Sequence, residues 1–203
     1  FTVIVNDTAI TQLSVVADQC QGTPQVFSLS SDIGATFDWD FNNDGLFNAS
    51  TSDTSTLFTY PAAGTYDVTV TTTTAQGCIS TLTVAGLATA NPNPIADFTT
   101  YPSPAIVTLL NPTFDFIDLS TANNSISSFL WDFDDLTIDT LNLNPSHDYQ
   151  DTGYYNVSLT ITNEFGCIST IDKTVRVKPD FLFAIPNSFT PDGDGLNDSF
   201  SPG

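Results

Sequence analysis

Three groups of residues in this chain of 203 have types and spacings that could do chemistry. The first is acidic. Asp40, Asn42 and Asp44 stand at alternate positions before Gly45, and Asp192, Asp194, Asn197 and Asp198 crowd together with Gly193 and Gly195. Oxygen side chains at alternate positions with a glycine for the tight turn resemble the start of a calcium loop, so calcium is the one cofactor these residues suggest. No glutamate closes the first run, and the competing reading of both is an acidic turn. The second group could serve catalysis. His147 is the only histidine, so any Ser-His-Asp or Cys-His site must use it. Asp38 with Asp40, or Asp132 with Asp134 and Asp135, could pair as glycosidase carboxylates. They alternate with apolar residues, however, which points them at solvent or at turn caps rather than across a cleft. No catalytic residue is assigned. The third group is Cys20, Cys78 and Cys167. One histidine and scattered cysteines argue against a zinc site.

The elements that must position these groups are legible in composition and repeats. Hydrophobic residues make up 40% of the chain, enough to bury real cores. Against 23 acidic residues stand only Lys173, Arg176 and Lys178, for a formal net charge of −20. Such a surface repels nucleic acid, whose binding runs through cations on phosphate, and it repels anionic lipid. No apolar run approaches the roughly 18 residues of a membrane span. The charge suits solubility, cation binding and life outside a cell.

The chain repeats itself. FDWDF (37–41) answers FLWDF (129–133), and GCIST occurs at 77–81 and at 166–170. Gly64 precedes Cys78 by 14 residues, as Gly153 precedes Cys167. Within each copy the apolar period is two: Tyr66, Val68 and Val70 alternate with Asp67, Thr69 and Thr71, as do Tyr155, Val157, Leu159 and Ile161 with polar neighbours. That is a strand with one dry face. Turn clusters at 42–45 and 61–64 separate the runs. The fold class is all-β, two tandem immunoglobulin-like β-sandwiches, each with a Trp between its sheets and a tyrosine corner. Val68 and Val157 occupy the inward position where antibody domains carry a disulfide cysteine. Cys20 in the first-strand region and Cys78 near the last hairpin of copy one are expected to pair and tie that copy's ends together. The alternative is three buried thiols. Cys167 repeats Cys78, but copy two has no cysteine near Leu109 to meet it, so it reads as a buried remnant or a reactive thiol.

The segments 131–133, 144–149 and 151–166 (WDF, NPSHDY and DTGYYNVSLTITNEFG) closely resemble the PKD domain family. The resemblance implies an immunoglobulin-like sandwich over 89–178 and gives His147 a packing and turn-bonding role. Residues 10–88 are similar to the PKD-like variants of secreted Bacteroidota proteins, though they lack the Pro-x-His before Tyr60. FTVIV (1–5) resembles the closing strands at 81–84 and 174–177, so 1–9 reads as the end of a preceding repeat or a linker. The run from Ala184 to Phe200 resembles the opening of the type B, gliding-motility-associated, C-terminal sorting domain. Residues 179–203 are therefore expected to be its truncated start. That resemblance implies the type IX secretion machinery as a partner and the cell surface, associated with the outer membrane, as the destination. The expected function is a non-enzymatic structural or adhesive tail of a large surface protein. The alternative is a carbohydrate- or partner-binding accessory module of a secreted hydrolase. Neighbouring repeat domains and surface polysaccharide are the other expected partners. Phe47, Phe58, Tyr101 and Tyr154 break the inward register or sit in turns, so they are the candidate binding aromatics, against a competing reading of partial burial. Thr8 and Thr140 lie in Asp-Thr-apolar triplets that resemble Bacteroidota O-glycosylation acceptors.

Overall fold

The structure, a computed structural model, describes residues 10–31 and 35–180. Residues 1–9 and 181–203, with Thr8 and the acidic loop at 192–198, lie outside the described residues. Every regular element among the described residues is a strand. The first sandwich contains β1 (Ile10–Val15), β2 (Gln19–Cys20), β3 (Pro24–Ser31), β4 (Ala35–Asp40), β5 (Ala49–Thr51), β6 (Ser55–Thr59), β7 (Gly64–Thr74) and β8 (Ile79–Asn91). The second contains β9 (Phe98–Tyr101), β10 (Ile106–Thr108), β11 (Thr113–Asp118), β12 (Ile126–Asp132), β13 (Ile138–Asp139), β14 (Ser146–Asp148), β15 (Gly153–Asn163) and β16 (Ile168–Lys178). Each sandwich packs a three-stranded sheet on a five-stranded one. The orders are β1-β3-β6 and β2-β8-β7-β4-β5 in the first, and β14-β11-β9 and β10-β16-β15-β12-β13 in the second. The all-β, two-sandwich expectation is met.

The strands form where the period-two pattern lets one face dry. Val68 and Val70 on β7, and Val157, Leu159 and Ile161 on β15, are buried, while Thr69, Thr71 and Thr160 turn outward. On the outer face the threonine hydroxyls meet across strands, Thr69 with Thr83 at 2.7 Å and Thr160 with Thr170 at 2.9 Å. Trp39 and Trp131 are fully buried between the sheets. Trp39 stacks 5.5 Å from Phe41, and Trp131 lies edge-on to Phe98 at 5.1 Å. The tyrosine corners are present: the Tyr66 hydroxyl donates to the Ala62 carbonyl at 2.8 Å, and Tyr155 to Asp151 at 2.9 Å. Behind each corner ring lies a second tyrosine, Tyr60 or Tyr149, centred 3.9 or 4.0 Å away. Its hydroxyl donates to the carbonyl of the Phe that ends the Trp-Asp-Phe run, Phe41 at 2.8 Å and Phe133 at 3.0 Å. Burial pushes both of these phenols well above the ordinary range, with Tyr66 adding to the effect at Tyr60 and Asp135 adding to it at Tyr149.

Strand direction at the edge of each large sheet decides which residues reach the ends of the sandwiches. The leading segment starts in the small sheet as β1, then crosses to run as β2 parallel to the closing strand, with Gln19 opposite Ala90 and Cys20 opposite Asn91. In the second sandwich β10 does the same beside β16, with Thr108 opposite Lys178. The closing strand β8 continues to Asn91.

Trp131 fills the centre of the second core, so Trp131→Ala should destabilise that sandwich by about 3–5 kcal/mol. In a denaturant titration one transition should move to lower denaturant while the first sandwich's transition stays in place. A common shift of both would mean the two sandwiches unfold as one unit.

Candidate functional site: the junction between the sandwiches

The cysteine pairing differs from the sequence expectation. Cys20 is bonded to Cys167, across the two sandwiches, and Cys78 carries no disulfide. The reason lies in strand direction. Cys78 stands just before the start of β8, whereas β2 runs parallel to β8 and sets Cys20 at its far end, opposite Asn91. A strand of 13 residues lies between them, roughly 40 Å at the usual rise per residue. A disulfide needs Cα atoms within about 7 Å. Cys167 is at hand because it precedes β16 in the hairpin turn that faces the end of β8, and its Cα is 5.6 Å from that of Cys20.

The turn carrying Cys167 is built by Asn163, itself buried. The Asn163 Oδ1 accepts from the Phe165 N–H at 3.0 Å and the Cys167 N–H at 2.9 Å, and its Nδ2 donates to the Pro92 carbonyl of the linker at 2.9 Å. From the other side the Asn93 amide donates to the Gln21 carbonyl at 3.2 Å, and the Gln21 N–H donates to the Asn91 carbonyl at 2.8 Å. Linker, Cys20 turn and Cys167 turn are thus tied by amide hydrogen bonds around one covalent bond. A disulfide of this kind belongs to an oxidising compartment.

The acidic residues and the histidine are taken up by hydrogen bonds to their own loops and to neighbouring strands. The carboxylate of Asp40 is buried, and its oxygens accept from the N–H groups of Asn42 and Asp44 at 3.3 Å and of Gly45 at 2.8 Å. Asp44 accepts from the Leu46 N–H at 2.8 Å and the Asn42 side-chain amide at 2.9 Å. The loop is closed by its own amides. No group of three or more His, Cys, Asp and Glu is gathered as a metal site among the described residues. Asp38 accepts from the Ser50 hydroxyl, Asp132 from the Asp134 N–H and Asp134 from the Asn156 N–H. Asp38 thus bonds to the neighbouring strand β5, Asp132 to its own turn and Asp134 to β15, and none of these contacts pairs two carboxylates. His147 lies flat on Phe133, ring centres 4.1 Å apart, and donates through Nε2 to Asp135 at 2.7 Å. The hydroxyl of Thr137 also goes to Asp135. This is a packed, hydrogen-bonded histidine on the short strand β14, paired opposite Phe114, rather than in the turn that the resemblance implied.

Of the candidate aromatics, Phe58 is not free. It stacks on Phe41 at 4.4 Å and meets Tyr60 edge-on at 4.9 Å, as part of the core rim. Phe47, Tyr101 and Tyr154 are exposed, with Arg176 lying 4.9 Å over the Tyr154 ring. They sit in a first-sandwich loop, on the small sheet and on the large sheet respectively, so the fold does not gather them into one platform. Thr140 is exposed beside Asp139. Sequence reasoning missed an apolar loop after the second Trp-Asp-Phe run. Leu136 is fully exposed, and Ile138, Leu141 and Leu143 beside it are also open to solvent. Leu46 and Phe47 occupy the corresponding loop of the first sandwich. The available signal was a run of leucines between acidic turn residues, which fits neither strand face.

The class that the fold defines is a tandem immunoglobulin-like sandwich, and comparison with known families narrows it. The PKD domain family matches residues 12–85 and again 91–178. Both sandwiches are therefore PKD domains, and the chain belongs to that family, whose modules are non-catalytic. Among solved structures, the PKD1 domain of Vibrio anguillarum Epp is similar at 25% identity, over 44% of this chain and 99% of its own, with a TM-score of 0.39. The PKD1 domain of the Vibrio cholerae metalloprotease PrtV is similar at 26% identity, over 42% and 98%, with a TM-score of 0.37. A structure of carbohydrate-binding modules from the β-sandwich superfamily is similar at 28% identity, over 44% and 36%, with a TM-score of 0.40. No curated protein sequence matches the chain.

The Asp135 site supplies a pH test. Burial works to raise its carboxyl, but hydrogen bonds from Thr137 and His147 outweigh that and hold it below the ordinary carboxylate value. A depressed folded value means the stabilisation is present above the unfolded value, about 4, and is lost as pH falls through the lower folded one. Asp135→Asn should therefore lower stability at neutral pH and flatten the acid limb of a thermal melting series between about pH 5 and 2. A variant whose melting temperature tracks the parent's at every pH would remove this contribution.

Proposed function

We propose that this chain is a non-enzymatic spacer of a large cell-surface protein, which holds an adhesive region at a set distance and orientation. The observation that carries this reading is the Cys20–Cys167 bond. Two sandwiches joined by a short linker swivel by default, because interfaces between domains of one chain are small. A covalent bond beside a linker holding Pro92 and Pro94 removes that freedom, which a spacer needs and an independent binding module does not. The bond also supports an extracellular setting. Export through the type IX machinery to the outer-membrane surface is part of the proposal and is supported by the sequence from Ala184 to Phe200. X-ray scattering of the chain and of Cys20→Ser tests the spacer reading. The variant should show a larger radius of gyration and a broader distance distribution. Superimposable profiles would mean that the disulfide sets no orientation, and the spacer reading would fall.

A second reading, a carbohydrate- or partner-binding module, is favoured by the exposed Leu136, Ile138 and Leu141 loop, since a cluster of open apolar side chains marks a contact surface. The strong negative charge directs it to neutral rather than acidic polymers. Retention on insoluble neutral polysaccharides and whole cells, with calcium and with chelator, separates the two readings. Saturable retention that Leu136→Asp abolishes would establish recognition, and calcium dependence would add the proposed cofactor. Absence of retention in both conditions would leave the spacer alone.

A further inference from the structure

The bond between the sandwiches joins positions that belong to a repeat. Cys20 ends β2 in the leading segment, beside the end of its own closing strand, and Cys167 is the hairpin residue of the next sandwich. The hairpin residue of the first sandwich is Cys78, within the same GCIST run. The two hairpin turns have the same build. The Thr74 N–H donates to the Cys78 carbonyl at 2.9 Å, as Asn163 does to Cys167 at 3.0 Å. The Gly77 N–H donates to the Thr74 carbonyl at 2.9 Å, as Gly166 does to Asn163 at 3.0 Å. A side-chain oxygen receives the cysteine N–H in both, Thr74 Oγ1 at 3.1 Å and Asn163 Oδ1 at 2.9 Å. Gly77 and Gly166 both take the left-handed conformation, at φ 81° and 79°. Cys167, with its partner in place, is 1% exposed; Cys78 is half-buried and unbonded.

We propose that Cys78 is the acceptor half of a second disulfide of this kind, formed with the leading-segment cysteine of another PKD-type sandwich placed N-terminal to this one. The independent observation is the Cys20–Cys167 bond itself, which shows what a cysteine at this hairpin position bonds to. The direction of the bond comes from the topology. A leading-segment cysteine lies beside the exit of its own sandwich, so it can reach only the hairpin of the next sandwich along the chain. At the other end the series stops, because Thr108 and Leu109 stand beside the end of β16 where Cys20 stands beside the end of β8. The chemistry is thiol–disulfide exchange. The two thiols lose two protons and two electrons as the Sγ–Sγ bond forms, and the disulfide of an exported thiol oxidoreductase is reduced to a dithiol. Thr74 has no amide to reach a linker carbonyl as Asn163 reaches Pro92, so at this upper junction the covalent bond stands without that hydrogen bond.

The test is peptide mapping without reduction of the full-length protein from its native source, with N-ethylmaleimide present from lysis onward. The expected result is a Cys78 peptide cross-linked to a cysteine in the leading segment of another PKD-type sequence, alongside a Cys20–Cys167 cross-link in the same digest. A Cys78 peptide carrying maleimide, or bonded to any other partner, would overturn the proposal. Absence of the Cys20–Cys167 cross-link would overturn the junction on which it is built. The spacer reading rests on scattering and fails separately.

Discussion

Each sandwich depends on the burial of one tryptophan between two sheets. Trp39 and Trp131 are large enough to touch both layers; Phe27 and Phe41 pack on the first and Phe98 and Phe116 on the second, and the paired tyrosines join each cluster through Phe27 and Phe114. The residues on either side use the same short run. The aspartate after each tryptophan accepts N–H groups of the following loop, and the carbonyl of the next phenylalanine receives a buried tyrosine hydroxyl. One tripeptide, Trp-Asp-Phe, therefore sets core, loop and corner together. A buried hydroxyl and a buried carbonyl both need partners, so the arrangement has little freedom to drift.

That rigidity bears on function because the sandwiches are joined by little else than a linker, a few amide hydrogen bonds and one disulfide. A rigid body passes orientation to its neighbour only if the joint is equally stiff. Asn163 holds the cysteine turn and the linker carbonyl with the same side chain, so the disulfide closes on a turn that is already placed. The acidic, hydroxyl-covered sheet faces keep this body soluble and discourage pairing with anionic partners, while the apolar loops after each Trp-Asp-Phe run remain the places where a partner could bind.

Sequence reasoning reached the strands, the tryptophans and the tyrosine corners because these rest on local periodicity, and a period of two permits only one face to dry. Asp40 and Asp132 bond to amides two to five residues away, which a local reading of turns can anticipate, whereas His147 reaches from β14 to Asp135, twelve residues off, which it cannot. Sequence reasoning left Phe58 open between binding and partial burial, because the half-burial comes from Phe41 and Tyr60, residues on other segments. It also passed over Leu136, Ile138 and Leu141, since exposure of a leucine depends on what does not pack over it.

The sequence by itself determined that the chain is all-β, that it holds two copies of one module, and that each copy carries its own core, because hydrophobic period and repeat spacing are properties of the chain in order. The pairing of the cysteines was decided only in three dimensions. Position within a copy suggested that Cys20 and Cys78 tie one domain's ends together, yet β2 runs parallel to the closing strand and carries Cys20 to the opposite pole. Strand direction is a long-range choice that no local pattern around Cys20 records. It turned a bond expected within one domain into the bond that joins two.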